Sequence, residues 1–261
     1  MQALCRYYDL LAAQGRVVED GYSAVRIHYR VALTPEGAVD GIEAWMVPVE
    51  KAGPKGKTKI VLVPRPVTMF RRTEKPGIEA NYVEHRPTYL FGLNLEKDGT
   101  LNPADRTDKA VKSHRAFVER NLAFTDGVDS PVVNAFRRFL QGWAPADERL
   151  NQHLLGLGKE YPTAGYVFCL AGRPDVMLQD DPGLQARWRT MLEADAGDAT
   201  DAVTGQCAVT GRTAEIARLH DKINGIAGGL ATGTKLVSYK NDSETSYGVT
   251  QSLNSNVSVE A

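Results

Sequence analysis

The spacing of apolar and polar residues predicts a short helix followed by three strands at the start of the chain. Residues 2–14 place apolar side chains at roughly helical spacing. Residues 24–33, with the sequence AVRIHYRVAL, alternate apolar and polar positions, and residues 41–49 and 58–63 show similar strand patterns. Because Asp40-Gly41 is a turn signal and the connections are too short for crossover helices, we expect these strands to pair antiparallel.

The middle of the chain alternates between helical and strand patterns. Pro64-Arg65-Pro66 is expected to end the third strand, because proline has no N–H to donate to a ladder. Four later elements have clear patterns, namely helices at 103–124, 130–141 and 179–192 and a buried strand at 166–170. Ser130 is the expected N-cap of the second helix, with Pro131 in its first turn, and the third is expected to stop near Gly197. The predicted fold class is α+β, with a mixed or antiparallel sheet in the N-terminal part, packed helices and long irregular loops.

An acidic segment of small residues at 194–204 is the best candidate for an internal boundary. It predicts an N-terminal α/β domain over 1–200, which contains a basic segment at 51–75, and a glycine-rich segment over 201–261. The last residues, GVTQSLNSNVSVEA, offer neither a helix stop nor a strand partner. We therefore expect the chain to lead towards a further C-terminal domain.

Composition restricts the class of protein. The chain has 261 residues, of which 43% are hydrophobic and 24% charged, as in ordinary globular domains. No apolar run reaches the ~18 residues that span a bilayer, and the N-terminus does not read as a signal peptide, so a cytoplasmic location is expected. The three cysteines lack the paired spacing of a zinc site, and the histidines and serines form no catalytic signature. The sequence therefore predicts neither metal, nor cofactor, nor catalysis.

Charge is distributed in opposed patches although the net charge is only −1. Between residues 51 and 75 there are eight basic residues and one acid, whereas residues 175–201 hold seven acids and two arginines. Such a distribution permits a local site for a polyanion on a neutral protein. For the lysines of the sequence VEKAGPKGKTK, a solvated hairpin tip is as good an interpretation as a polyanion site. The following segment places Arg65, Arg71, Arg72 and Lys75 around Phe70 in an irregular stretch, where phosphate contact competes with a plain charged loop.

The stretch INGIAGGLATGTKLVSYKNDSETSYG, residues 223–248, raises two alternatives. A phosphate-binding P-loop is rejected because Thr234 separates Gly233 from Lys235 and no buried strand precedes the glycines. Glycines can instead let the backbone approach a ligand closely, while amide and hydroxyl side chains contact groove edges. The residues of this predicted surface are Asn224, Gly225, Gly228, Gly229, Thr232, Gly233, Thr234, Lys235, Ser238, Gln251 and Asn254. The alternative is a flexible loop.

The segment GQCAVTGRTAEIARLHDKINGIAGGLATGTKLVSYKNDSETSYG resembles a signature block of the large subunit of the type I-C CRISPR interference complex, Cascade. The matching elements are GQC-x-VTG, IARLH, a loop of glycines and small residues, LVSY and SYG. LVPRPV, TYLFGLN, HRAF and the first helix, with its LxxYYDxLA-like sequence, agree as well. The chain departs from the family at ATGTK, where relatives carry glutamine and serine.

The resemblance implies a non-catalytic subunit of an RNA-guided surveillance complex. Its partners would be double-stranded target DNA, the guide RNA complex with the subunit that holds the 5′ handle, backbone and small subunits, and a helicase-nuclease recruited after target binding. Such a subunit recognises the protospacer-adjacent motif and aids duplex opening, while guide pairing reads the target. We expect the glycine loop at 225–233 to lie against the motif duplex. The alternative is an assembly module that contacts guide RNA and neighbouring subunits without reading DNA.

Overall fold

A computed structural model describes residues 2–19, 21–52, 58–70, 77–103, 109–197, 203–217, 222–223, 228, 234–235 and 255–258. The chain divides into a larger unit, Val18–Ala194, and a smaller unit made of Met1–Val17 and Asp195–Ala261. The predicted domains, 1–200 and 201–261, stay a prediction.

The described helices and strands fall into the following order. The helices are α1 (Gln2–Ala13), α2 (Pro87–Phe91), α3 (Lys109–Phe124), α4 (Pro131–Gly142), α5 (Gln152–Leu155) and α6 (Pro182–Gly197). The strands of the larger unit are β1 (Tyr22–Ile27), β2 (Tyr29–Leu33), β3 (Val39–Ala44), β4 (Met46–Ala52), β5 (Thr58–Phe70), β6 (Leu93–Leu95), β7 (Leu101–Pro103), β8 (Tyr166–Leu170) and β9 (Arg173–Met177). Those of the smaller unit are β10 (Thr204–Gln206), β11 (Thr213–Glu215), β12 (Lys222–Ile223) and β13 (Thr234–Lys235).

The larger unit contains an antiparallel sheet of order β1-β5-β4 and a mixed sheet of order β3-β2-β8-β9. In the mixed sheet only β2 and β8 run parallel, and the connection between them is long and contains helices α2 to α5. The predicted α+β class with a mixed or antiparallel sheet is confirmed.

Two of the predicted strands are each divided in two, which corrects the predictions at 24–33 and 41–49. The first break lies at His28, where the backbone N–H groups of His28 and Tyr29 both donate to the Gly165 carbonyl, at 2.8 and 3.1 Å. The second lies at Trp45, whose N–H donates to the His28 carbonyl at 2.7 Å. At these points the chain passes from one sheet to the other. Each alternating pattern therefore covers one strand of the β1-β5-β4 sheet and one strand of the β3-β2-β8-β9 sheet.

Strand β5 continues through Pro64 and Pro66 to Phe70, so the predicted strand end at the prolines is wrong. The first half of β5, 58–64, pairs with β4, and the second half, 65–70, pairs with β1 on the other side. Each half is therefore an edge on one side, where proline is tolerated because no neighbour needs its N–H. Arg65 accordingly lies in a strand and not in an irregular segment.

Helix α4 and strand β8 pack against each other in the core, and both elements were predicted from their patterns. The Ser130 hydroxyl accepts a hydrogen bond from the Val133 N–H at 3.3 Å, which confirms the N-cap, and Pro131 follows it. The rings of Phe136 and Phe139 both lie 5.0 Å from that of Phe168, centroid to centroid. All five residues of β8 are buried, as expected for an interior strand.

Two helix boundaries differ from prediction. Helix α3 ends at Phe124 as predicted but begins at Lys109, because Pro103 belongs to β7 and pairs with Leu93. Helix α6 begins at Pro182, after a 3-10 turn at Leu178–Asp180, and extends to Gly197. The Asp181 carboxylate accepts from the N–H groups of Gly183 and Leu184 at 2.9 and 3.1 Å, which places the start of the helix after it.

A buried carboxylate organises the loop before α2. Glu84 is fully buried and accepts hydrogen bonds from the backbone N–H groups of Asn81, His85 and Arg86, at 3.0, 2.9 and 3.1 Å, and from the Arg86 guanidinium. Buried Asn121 holds the same loop, accepting from the Val83 N–H at 2.8 Å and donating to the Asn81 carbonyl at 3.1 Å. Val83 has a φ of 51°, which a β-branched residue adopts only when its surroundings impose it.

In the smaller unit, Cys207 fixes the β10–β11 hairpin. Its sulfur accepts hydrogen bonds from the N–H groups of Val209, Thr210 and Ser258 at 3.4, 3.4 and 3.2 Å. Burial raises the pKa of the Cys207 thiol, but hydrogen bonds from Ser258 and Thr210 outweigh it and lower the pKa to about 6. All three cysteines are free, and Cys169 and Cys207 are buried.

We expect Cys207 to be a thiolate at neutral pH. The absorbance of the wild type near 240 nm, minus that of a Cys207→Ser variant, should rise with a midpoint near pH 6. Burial raises the pKa of Cys169 to about 11, so this thiol stays silent between pH 5 and 8. A difference spectrum that rises only near pH 9, the ordinary range of a thiol, would contradict the assignment.

Candidate nucleic-acid interface

Arg65 lies in a cluster with two other large side chains at the junction of the two sheets. Its guanidinium carbon is 4.8 Å from the ring centroid of Trp45, and that of Arg30 is 5.6 Å from the same centroid. Arg30 forms an ion pair with Glu43 at 3.0 Å, whereas among the described residues no ion pair involves Arg65. The cluster therefore presents one uncompensated guanidinium held against an aromatic face, an arrangement suited to phosphate and base contacts.

Strands β4 and β5 extend beyond this cluster as a two-stranded ribbon. On the N-terminal side of Arg65, residues 58–64 of β5 pair with β4 alone, because β1 ends at Ile27, opposite Arg65. Lys51 and Lys59 are exposed and lie directly opposite each other near the end of the ribbon. Facing lysines repel one another, and a phosphate between them would relieve the repulsion. A ribbon of two strands also fits the major groove of B-form DNA.

One face of the same ribbon is apolar and exposed. Ile60 and Leu62 alternate along β5 with relative exposures of 66% and 64%. Opposite them in the register lie Glu50 and Pro48. Adjacent exposed aliphatic side chains of this size are typical of surfaces that contact another protein.

The glycine-rich segment of the smaller unit is bounded by a short ladder. Lys222 pairs with Lys235 and Ile223 with Thr234, so residues 224–233 connect two antiparallel strands. Gly228 is exposed with a φ of +80°, and no heavy atom of the described residues lies within 4 Å of where a Cβ would be. The predicted contact of this stretch with a ligand stays a prediction.

Few of the predicted site residues can be compared with the structure. Arg65 belongs to the larger unit, whereas Gly228, Thr234 and Lys235 belong to the smaller one, so each is described within its own unit. The remaining predicted positions lie outside the described residues, namely Arg71, Arg72, Lys75, Asn224, Gly225, Gly229, Thr232, Gly233, Ser238, Gln251 and Asn254.

Sequence reasoning missed Trp45 and Arg30, which the structure places beside Arg65. The signal that could have identified this cluster was Trp45, the single tryptophan in the predicted strand at 41–49. In the described ranges, no group of three or more His, Cys, Asp or Glu side chains is placed to hold a metal ion.

Comparison with known proteins identifies a family. The family model described as CRISPR-associated protein (Cas_Csd1) matches residues 4–261. No curated protein matches the chain. A search of the described residues finds no helix with the length and apolarity needed to cross a membrane.

Proposed function

Because the chain belongs to the CRISPR-associated protein family Cas_Csd1, we propose that it is the non-catalytic large subunit of a cytoplasmic type I-C surveillance complex. In this role it recognises the protospacer-adjacent motif in double-stranded DNA and aids opening of the duplex. It then supports recruitment of the helicase-nuclease, so cleavage is carried out by that partner. The family match over almost the whole chain is the observation that carries the proposal.

Two surfaces support contact with DNA. In the larger unit, the guanidinium of Arg65 stacked on Trp45 and the opposed Lys51 and Lys59 of the ribbon form a basic stretch along β5. In the smaller unit, the open backbone at Gly228 suits a groove wall or phosphate oxygens. We assign the first surface to the DNA backbone and the second to the motif, because phosphate contacts position a protein while base edges specify sequence.

Replacing Arg65 by alanine is expected to weaken binding of the assembled complex to target duplex. The loss of one phosphate contact should reduce affinity roughly threefold to tenfold at moderate salt and lower the slope of log K against log salt by about 1. Binding isotherms at several salt concentrations measure both quantities, on targets with the correct motif and with a substituted motif. The loss should be similar for both targets, and the guide RNA content of the complex should not change.

Arg115→Ala is a matched control, since Arg115 is an exposed arginine of α3 that pairs only with Glu119 at 2.9 Å among the described residues. The affinity and salt slope of the Arg115→Ala complex should equal those of the wild type.

Lys235→Ala is expected instead to reduce discrimination between the correct and the substituted motif. The double variant Arg71→Ala/Arg72→Ala is expected to weaken binding to both targets. If Arg65→Ala, Lys235→Ala and Arg71→Ala/Arg72→Ala all kept the affinity, salt slope and motif discrimination of the wild type, the proposed DNA-binding residues would be refuted.

The exposed pair Ile60 and Leu62 favours the second candidate function, an assembly module that contacts guide RNA and neighbouring subunits without reading DNA. Under that function, an Ile60→Ser/Leu62→Ser variant would fail to enter the complex in size-exclusion chromatography. Motif discrimination by complexes that do form would then be independent of Arg65 and Lys235. Loss of discrimination in the Lys235→Ala complex, with normal assembly, selects the first function.

A further inference from the structure

A pocket of the larger unit lies where the end of α3 meets α6. Its volume is about 720 Å³, and its walls include Tyr82, Arg120, Phe124, Arg187 and Met191. This volume falls within the range of about 300–1,000 Å³ that is usual for small-molecule sites. None of these residues takes part in the candidate nucleic-acid interface on β4 and β5.

The apolar part of the pocket is largely aromatic, and its rings are in contact with one another. The ring of Tyr82 lies 4.6 Å from that of Phe124 and 5.4 Å from that of Trp188, centroid to centroid. Phe124 and Trp188 are buried, whereas Tyr82 and Met191 are half-buried. A flat aromatic group entering the pocket would therefore meet preformed apolar walls and little side-chain entropy would be lost on binding.

Two guanidinium groups line the same pocket in fixed positions. The Arg120 guanidinium carbon lies 4.8 Å from the centroid of the Tyr82 ring, and its Nη1 donates to the Ala80 carbonyl. The Nη1 of Arg187 donates to the Phe124 carbonyl at 2.8 Å. A guanidinium carries five N–H groups, so a bond to one carbonyl positions it and leaves donors for a ligand.

The pocket carries a net positive charge. In the described part of the chain, neither Arg120 nor Arg187 forms an ion pair. Asp126 also borders the pocket, but its carboxylate forms an ion pair with Arg137 at 3.3 Å. An anionic ligand is thus attracted by two guanidinium groups, with the nearby carboxylate already paired.

We propose that this pocket binds one nucleotide, with its phosphate between Arg120 and Arg187 and its base against Tyr82, Phe124 and Met191. The apolar aromatic wall selects for a flat base, and the two guanidinium groups select for a phosphate. A paired base inside a duplex cannot enter, so the ligand is a free nucleotide or an unpaired unit of a single strand. The site is independent of motif recognition and of the proposed function.

The test uses the purified full chain and isothermal titration calorimetry with three probes. These are inorganic phosphate, a nucleoside 5′-monophosphate and a short single-stranded oligonucleotide. Arg120→Ala and Arg187→Ala should each weaken nucleotide binding about tenfold or more, because each removes a charge-assisted hydrogen bond. Ala123→Trp, which leaves both arginines in place and fills the pocket from α3, should abolish binding. Arg115→Ala on the same helix should change nothing.

The outcomes separate the two sources of the ligand. If the monophosphate binds and Ala123→Trp abolishes this binding, the ligand is a free nucleotide. If only the oligonucleotide binds and Ala123→Trp abolishes that binding, the ligand is an unpaired nucleotide of a single strand. Phosphate binding as tight as the nucleotide would overturn the assignment, because the base would then contribute nothing. Nucleotide or oligonucleotide binding that is absent, or that survives Ala123→Trp, would overturn it as well.

Discussion

Replacing Glu84 by glutamine is expected to lower the free energy of unfolding by about 2–4 kcal/mol. The carboxylate is fully buried, but the Arg86 side chain is 36% exposed, so the loss is smaller than the ~3–5 kcal/mol of a fully buried ion pair. Among the described residues, the hydrogen bonds to the carboxylate come from backbone N–H groups, the Asn81 side-chain amide and the Arg86 guanidinium, and the His85 ring nitrogen Nδ1 lies 3.3 Å from it. A glutamine presents its own NH₂ group to half of these donors, so it leaves buried N–H groups unpaired and the Arg86 charge uncompensated. Urea unfolding at pH 7, followed by tryptophan fluorescence, measures the change.

The difference between wild type and variant should depend on pH. Burial raises the pKa of the Glu84 carboxyl, but the hydrogen bond and the charge of Arg86 outweigh it and hold the pKa below its ordinary value. A carboxyl with a depressed pKa contributes stability fully above its unfolded pKa of about 4.3 and loses it as the pH falls. We therefore expect the difference in unfolding free energy between the two proteins to narrow as the pH falls below about 4.

Glu119→Gln is the matched control, because Glu119 pairs with Arg115 on the exposed surface of α3 at 2.9 Å. An exposed pair of this kind contributes about 0.3–0.5 kcal/mol, so the control should unfold almost as the wild type does. If the two glutamine variants were equally stable, Glu84 would not organise the loop. A gap that widened as the pH fell below about 4 would contradict the depressed pKa of Glu84.

The Glu84 cluster also has a consequence for the proposed DNA contact. Arg71, Arg72 and Lys75, three of the predicted basic positions, lie in sequence between buried Phe70, at the end of β5, and the loop that Glu84 and Asn121 hold. The elements before and after these three residues thus belong to the core of the larger unit. If the proposed DNA contact is right, loss of the Glu84 cluster should weaken target binding by the assembled complex although Glu84 itself is fully buried.

The elements that the sequence predicted well are those whose cause is local. Strand β8 is a continuous apolar run, and the start of α4 follows from Ser130 and Pro131, which act within one helical turn. The break at His28 could not be predicted in this way, because it depends on a hydrogen bond to Gly165, far away in the sequence. The course of β5 through Pro64 and Pro66 likewise depends on which side of the strand each neighbour occupies.

In the candidate interface, too, the sequence predicted what depends on neighbouring residues and missed what depends on residues distant in the sequence. Charge spacing identified Arg65, but the arrangement that places Trp45 and Arg30 beside it joins residues from β5, from the link between β3 and β4, and from β2. The pocket with Arg120 and Arg187 was not predicted, since its residues come from a loop and two helices and form no motif. A tertiary arrangement of this kind leaves no periodic signal in the sequence.

Replacing Gly37 by alanine is the second change with a large expected effect, and Gly99 provides a matched control. Both glycines close a hairpin loop of the same design: Gly37 N–H donates to Thr34 and Gly99 N–H to Glu96, at 2.9 and 3.0 Å. Their φ values are also alike, +88° and +86°. Alanine in this conformation costs about 1 kcal/mol at either position.

The two loops differ in what surrounds the glycine. A Cβ at Gly37 would lie 2.4 Å from the Phe139 nitrogen and 2.6 Å from the Arg138 carbonyl carbon, whereas a Cβ at Gly99 has no neighbour within 4 Å. Gly37→Ala must therefore displace the β2–β3 loop from the backbone of α4, the helix that carries Phe136 and Phe139 onto β8. We expect it to cost a further 1–3 kcal/mol, about 2–4 kcal/mol in all, against about 1 kcal/mol for Gly99→Ala. Urea unfolding of the two variants measures the difference, and equal destabilisation would show that α4 does not rest on this loop.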